Sequence, residues 1–225
     1  MTVRQRPGAT TTSPACRHRS ASTPGWLRSL PARNATLAFL VAILSGLTGC
    51  SATIVPPAAP PAPVRILVLD HGQHSSLVLP TEDGAVRYSY GDWTYYAEGH
   101  TGVRTGWLAL FRPTPAALGR QWLPDPPHPL DTPGALRVEV AAVQELHVDA
   151  QRAAALVSEL DALFEQAIDT HFYSARLDVH FVHHPVPYTL GHHSNRVVGN
   201  WLEELGCTII GTPLLSNWKI RPTED

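Results

Sequence analysis

Hydrophobic positions downstream of Val64 switch between two periods. Val64-Arg65-Ile66-Leu67-Val68-Leu69 is a short apolar run rich in β-branched residues and predicts a buried strand. Ser75–Leu79 predicts a second strand and Val86–Tyr90 a third. Glu82-Asp83-Gly84 forms the turn between them, so the first three strands read as a meander. Pro115–Leu123 predicts a short helix with proline in its first turn. Leu136–Ala141 alternates like a strand, and Asp178–Val182 and Cys207–Ile210 suggest two more. Two long stripes have helical spacing. Leu156, Leu160, Leu163, Phe164 and Ala167 mark a helix over Val148–Ile168. Val197, Val198, Trp201, Leu202 and Leu205 mark another over Ser194–Leu205, which Gly206 stops. The expected fold class is α+β, a mostly antiparallel sheet with two main helices.

Upstream the pattern is of another kind. Met1–Arg33 carries six arginines and no acidic residue, and Ala35–Leu47 is almost wholly apolar. Leu47-Thr48-Gly49-Cys50 then closes the run with small residues and a cysteine. A basic start, a short apolar segment and small residues at the cut make a secretory signal, and the segment is short for a membrane-spanning helix. The terminal cysteine makes a lipoprotein signal the expected reading, a short uncleaved anchor being the other: Met1–Gly49 is expected to be removed and Cys50 to carry lipid, attaching the protein to a membrane of the cell envelope. Ser51, where an aspartate would suggest inner-membrane retention, points to the periplasmic face of an outer membrane if the organism has one. Cys50–Pro63, with its Val55-Pro56-Pro57-Ala58-Ala59-Pro60-Pro61-Ala62-Pro63 stretch, is expected to be an extended tether. Val64–Asp225 is expected to be a single domain.

Cleavage alters the charge balance. The full chain has 17 basic and 19 acidic residues; losing six arginines leaves 11 against 19, a net charge of −8. That excludes the basic footprint of a nucleic-acid partner and a polybasic attachment to anionic lipid. Of the three cysteines only Cys207 is left as a free thiol, so the mature monomer has no internal disulfide. Cys207 follows Gly206 at a helix C-terminus, where the dipole disfavours a thiolate, and it reads as a small buried residue.

Candidate chemistry gathers in two places: Asp70-His71-Gly72-Gln73-His74-Ser75-Ser76, between the first two strands, and Gly191-His192-His193-Ser194-Asn195, leading into the last long helix. A nucleophile at a helix N-terminus has unpaired N–H groups and a positive dipole beside it, and a histidine at a strand start can serve as its base. His74 is the first choice of base and His71 the second. Ser194 is either the nucleophile or simply the helix N-cap, a position serine favours. Asp92 either orients His74 or caps the turn after the third strand. Asn195 could assist an oxyanion or sit in the first helical turn. Trp93 could stack on a sugar ring or belong to the core. His193 is a further candidate binding residue.

Asp70-His71-Gly72-Gln73-His74-Ser75-Ser76-Leu77-Val78-Leu79-Pro80 followed by Tyr90-Gly91-Asp92-Trp93 resembles the bacterial family called domain of unknown function 2459. His193-Ser194-Asn195 before Trp201, Leu205 and Gly206 is similar to that family's C-terminal Thr-Cys-Asn motif, with serine in place of cysteine. The resemblance implies a permuted papain-like architecture of NlpC type, with His74 as base and Ser194 at the nucleophile position. A serine hydroxyl ionises far less readily than a thiol, so the leading reading is a degenerate module that binds without catalysis. The alternative is an amide or ester hydrolase or acyl transferase acting on cell-wall peptide or lipid. His180, His183, His184, His192 and His193 keep a third reading open, a metal-binding lipoprotein, although their spacing matches no short metal motif. No cofactor is implied.

Overall fold

Strand pairing decides the architecture. The computed structural model describes residues 51–96 and 113–221; the expected signal segment, the Leu47–Cys50 motif and His100 lie outside them. The main sheet contains β2 (Pro63–Asp70), β3 (Ser75–Thr81), β4 (Gly84–Asp92), β5 (Thr114–Leu123), β6 (Ala142–Asp149), β7 (Phe172–Ser174) and β8 (Val179–Tyr188). Its order is β6-β2-β3-β4-β5-β8-β7, and every pair is antiparallel. The α-helices among the described residues are α1 (Trp93–Tyr96, one turn), α2 (Ala150–Gln166) and α3 (Ser194–Glu204). The protein is therefore α+β with a mostly antiparallel sheet and two substantial helices.

Side chains alternate across a strand, and β4 separates two environments by that rule. Val86, Tyr88 and Tyr90 face the main core, where they meet Leu77, Leu79, Leu156, Leu160, Val198 and Leu202 beneath α2 and α3. Ala85, Arg87 and Ser89 face the other way. On that second face two small apolar clusters form, one around Leu67, Leu69 and Val78 and one around Ala117, Val179 and Phe181.

Both long helices have clear end signals. Asp149 caps α2 by accepting from the Gln151 and Arg152 N–H groups. Gly206, at φ +89°, ends α3: its N–H reaches Glu203 O at 3.0 Å and the Cys207 N–H reaches Leu202 O at 2.9 Å. This is a Schellman closure, which needs the left-handed residue that glycine supplies.

Three local expectations are corrected. Pro115–Leu123 is a strand, not a helix, because β5 pairs along both edges with β4 and β8. Pro115 falls at the irregularity between Thr114 and Ala116, where β8 shifts register and a missing N–H does no harm. Leu136–Ala141 is not a strand; β6 begins at Ala142. The alternation there is real, but Leu136, Val138 and Val140 lie partly buried against the two clusters of the second face as a covering loop. The expected tether over Cys50–Pro63 is partly built into the fold. β1 (Thr53–Val55) pairs antiparallel with β9 (Thr208–Ile210) and parallel with β10 (Lys219–Ile220) in a separate three-stranded sheet. Ala52 and Ile54 are fully buried in the main core, and the proline-rich stretch is the surface connection from β1 to β2.

A tether could lose Ile54 without consequence, whereas a core strand could not. Ile54→Ala is expected to cost about 2–5 kcal/mol of unfolding free energy, read by urea denaturation; an unchanged midpoint would remove β1 from the folded core.

Candidate functional site

The connection from β2 to β3 is a tight, heavily bonded turn. Asp70 Oδ1 accepts the Gly72 N–H at 2.6 Å and also the Ser216 hydroxyl. Gly72 adopts φ +90°, and the His71 N–H closes on His74 O at 2.9 Å. The glycine of the N-terminal motif is thus required by backbone conformation. His71 Nδ1 donates to Glu139 O at 2.7 Å, so its Nε2 accepts from the Ser76 hydroxyl at 2.8 Å. Both ring nitrogens are engaged and Ser76 is fully buried, which makes His71 a brace between the turn and the covering loop.

His74 has another situation. Its ring lies 5.4 Å from that of His71 and meets Tyr96 edge-on at 5.2 Å. It lines a cavity of about 290 Å³ on the second face of the sheet, with His71, Arg87, Ser89, Tyr96 and Phe181 among its neighbours. Burial, then the proximity of His71 and of Arg87, pulls the His74 imidazole down to about 3. Burial and Arg87 bring His71 to about 4. Both rings are neutral at physiological pH. Arg87 is 5% exposed, and Nη1 donates to Gln121 Oε1 at 2.8 Å while Nε has no partner. Burial lowers this guanidinium to about 10, so it keeps its charge at neutral pH.

Ser194 and Asn195 belong to the opposite side. They open α3, which packs on the Tyr88 and Tyr90 face. Ser194 is buried but is not the N-cap; His193 holds that position with extended backbone, and its side chain makes no cap hydrogen bond. Burial lowers the His193 pKa, with Arg196 and His192 adding to it. Asn195 is the best-connected residue of the region. Oδ1 accepts the Ser75 hydroxyl at 2.9 Å, Nδ2 donates to Gln73 O at 3.0 Å, and Trp218 Nε1 donates to Ser75 Oγ at 2.6 Å. The amide is spent on clamping α3 to the turn and is not free for an oxyanion.

The structure therefore brings the two motifs together through the Asn195 side chain, which meets Ser75 and Gln73 O, but parts the two candidate reacting groups. Ser75 points to α3, whereas His74 lines the far cavity, and among the described residues no hydrogen bond joins His74 to Ser194. Asp92 does not orient His74: Oδ1 caps α1 by accepting the Tyr95 N–H at 2.9 Å, and Oδ2 accepts the Thr114 hydroxyl. Trp93 packs against the second-face cluster with its ring 3.9 Å from that of His183. Gly91 has its own reason, because a Cβ there would lie 1.9 Å from the Tyr96 ring. Cys207 is buried, which pushes its thiol up to about 11. The histidines do not converge. His180 pairs with His171, His183 lies on Trp93, and His184 and His192 flank Tyr90. Among the described residues no group of three or more His, Cys, Asp or Glu is arranged to hold a metal ion.

Sequence reasoning missed Arg87. The signal was a lone charge inside Ala85-Val86-Arg87-Tyr88-Ser89-Tyr90, a run otherwise free of charge. No protein-family model, curated protein or solved structure matches this chain.

The two depressed imidazoles make acid destabilising. The unfolded chain takes up protons below pH 6.5, while folded His71 and His74 resist down to about 4 and about 3. Stability is full above pH 6.5 and is lost as pH falls through that window, at up to about 1.4 kcal/mol per pH unit for each ring. Urea unfolding at pH 7.5 and 5 is expected to show a fall that is about 2 kcal/mol smaller in His74→Gln. Equal pH dependence in the two proteins would mean that His74 is not held neutral.

Proposed function

We propose that this is a lipid-anchored envelope protein whose papain-like domain, of permuted NlpC type, binds a ligand without catalysing its conversion. The observation that carries this reading is the division of the motif side chains. A serine nucleophile needs its base within hydrogen-bond reach, yet His74 lines a cavity on one sheet face and Ser194 opens a helix on the other. Asp92 and Asn195 have their polar atoms committed elsewhere. A half-enclosed cavity with apolar walls and a few convergent polar groups is the ordinary form of a small-ligand site.

The anchor follows from the sequence motif at Cys50, and the burial of Ala52 adds to it. A lipid on Cys50 has Ser51 as its only leash before the folded body, so the domain lies against the bilayer and not on a spacer. The adjoining surface suits that placement: Ile210, which pairs with Thr53, and Leu214 and Leu215 are all more than two-fifths exposed.

A serine-directed fluorophosphonate probe is expected to leave the protein unlabelled, and Ser194→Cys is expected to react with iodoacetamide no faster than a free cysteine, with or without His74→Ala. Labelling of Ser194→Cys that is lost with His74→Ala would restore the hydrolase reading. Metabolic palmitate labelling should disappear in Cys50→Ala; labelling that survives would remove the anchor.

A further inference from the structure

Arg87 is a buried cation with no carboxylate on it among the described residues. Burying a guanidinium costs several kcal/mol unless its charge and donors are answered. Here one donor is answered by a neutral amide, Gln121, and Nε is unanswered. The residue nevertheless borders a cavity of about 290 Å³. The other charges on the cavity wall sum to the same sign: Arg137 and Arg176 stand against a single acid, Glu139, and all three are exposed. Arg137 is partly occupied, donating to Ala175 O at 2.7 Å with Asp178 4.0 Å away. So a net positive cavity sits in a domain whose overall charge is acidic.

The rest of the lining narrows the ligand. Val138, Leu177 and Phe181 provide apolar wall, Tyr95 and Tyr96 add aromatic lining, and Ser89 and the neutral His74 provide hydrogen-bonding atoms beside Arg87. One buried charge with apolar walls fits a singly charged anion with an apolar body better than a multiply charged, strongly hydrated one. The space is at the small end for an organic ligand.

Resting on the reading of this domain as a binding module, we infer that the cavity beside Arg87 and His74 binds the carboxylate group of a small molecule or of a peptide C-terminus. The carboxylate pairs with the Arg87 guanidinium, and its apolar body lies along Leu177 and Phe181.

The purified full-length chain is titrated with benzoate, with acetyl-dialanine, with the amide of each, and with inorganic phosphate, followed by calorimetry and by the histidine ring signals in NMR. At least one of the two acids is expected to bind at least tenfold more tightly than its amide and than phosphate, with the His74 signal moving; the tighter acid names the source. Arg87→Gln should weaken that binding at least tenfold. If Arg87→Gln fails to fold, Leu177→Trp, which fills the cavity without touching the charge, should abolish it. Equal binding of acid and amide, tighter binding of phosphate, no binding of either acid, or binding that leaves the His74 signal in place would overturn the inference. None of those results touches the binding-module reading, which fails on fluorophosphonate labelling of the unmutated protein or on His74-dependent labelling of Ser194→Cys.

Discussion

A buried amide holds this domain together where its far-apart segments meet. Asn195 accepts from Ser75, Ser75 accepts from Trp218, and Asn195 donates back to Gln73. Four partners from the β2–β3 turn, the head of α3 and the C-terminal segment are fixed relative to one another over sequence separations above one hundred residues. Each bond is worth only about 1 kcal/mol net. Because the atoms are buried, however, any arrangement that leaves one unpaired costs more than the bond itself returns. The network therefore specifies one docking of α3 on β3 and excludes sliding of the helix along its apolar stripe. The Asp70 contact to Ser216 extends the same lock to the end of β2.

That lock has a chemical consequence. By turning Ser75 toward α3 it commits the neighbouring His74 to the other side of the sheet. An arrangement in which histidine and helix N-terminus share a cleft would need the residue on the α3 side to be the imidazole. Here a hydroxyl takes that place and is itself consumed in the network. The two motifs thus meet through Asn195 and Ser75, while His74 and Ser194 lie on opposite sides of the sheet.

The helices and the meander were legible in the sequence because their signals are local. Apolar stripes at helical spacing, the Gly206 stop and the two-residue turn before Gly84 act within a few residues of one another. Pro115–Leu123 was not legible, since its state is decided by two long-range partner strands and a proline at a register shift looks the same on paper as a proline at a helix start. Thr53–Val55 was hidden by the prolines after it, because its partners lie about 155 residues or more away at β9 and β10. For the site, His74, Ser194 and Asn195 were found by motif, but their roles depend on which face each side chain takes. Alternation fixes a face only within a strand, and His74 lies just before one. Arg87 was invisible for a related reason: nothing local reveals that the loop over Leu136–Ala141 and the Leu177 region cover the second face.

The two buried polar centres differ in a way that separates structure from function. Asn195 is satisfied by neighbours within the fold, so its presence is accounted for by stability and by the specificity of docking. Arg87 is not. Its desolvation weighs against folding, its Nε is unmatched, and its charge helps depress both His71 and His74. An apolar side chain of similar volume would avoid all three costs, as it commonly does when it replaces an incompletely paired buried ion. A group that opposes the stability of its own fold, and that borders a cavity, is accounted for by something outside the fold. A partner that answers those costs is negative, small enough for the space and apolar away from its charge, which is the description of the ligand inferred above.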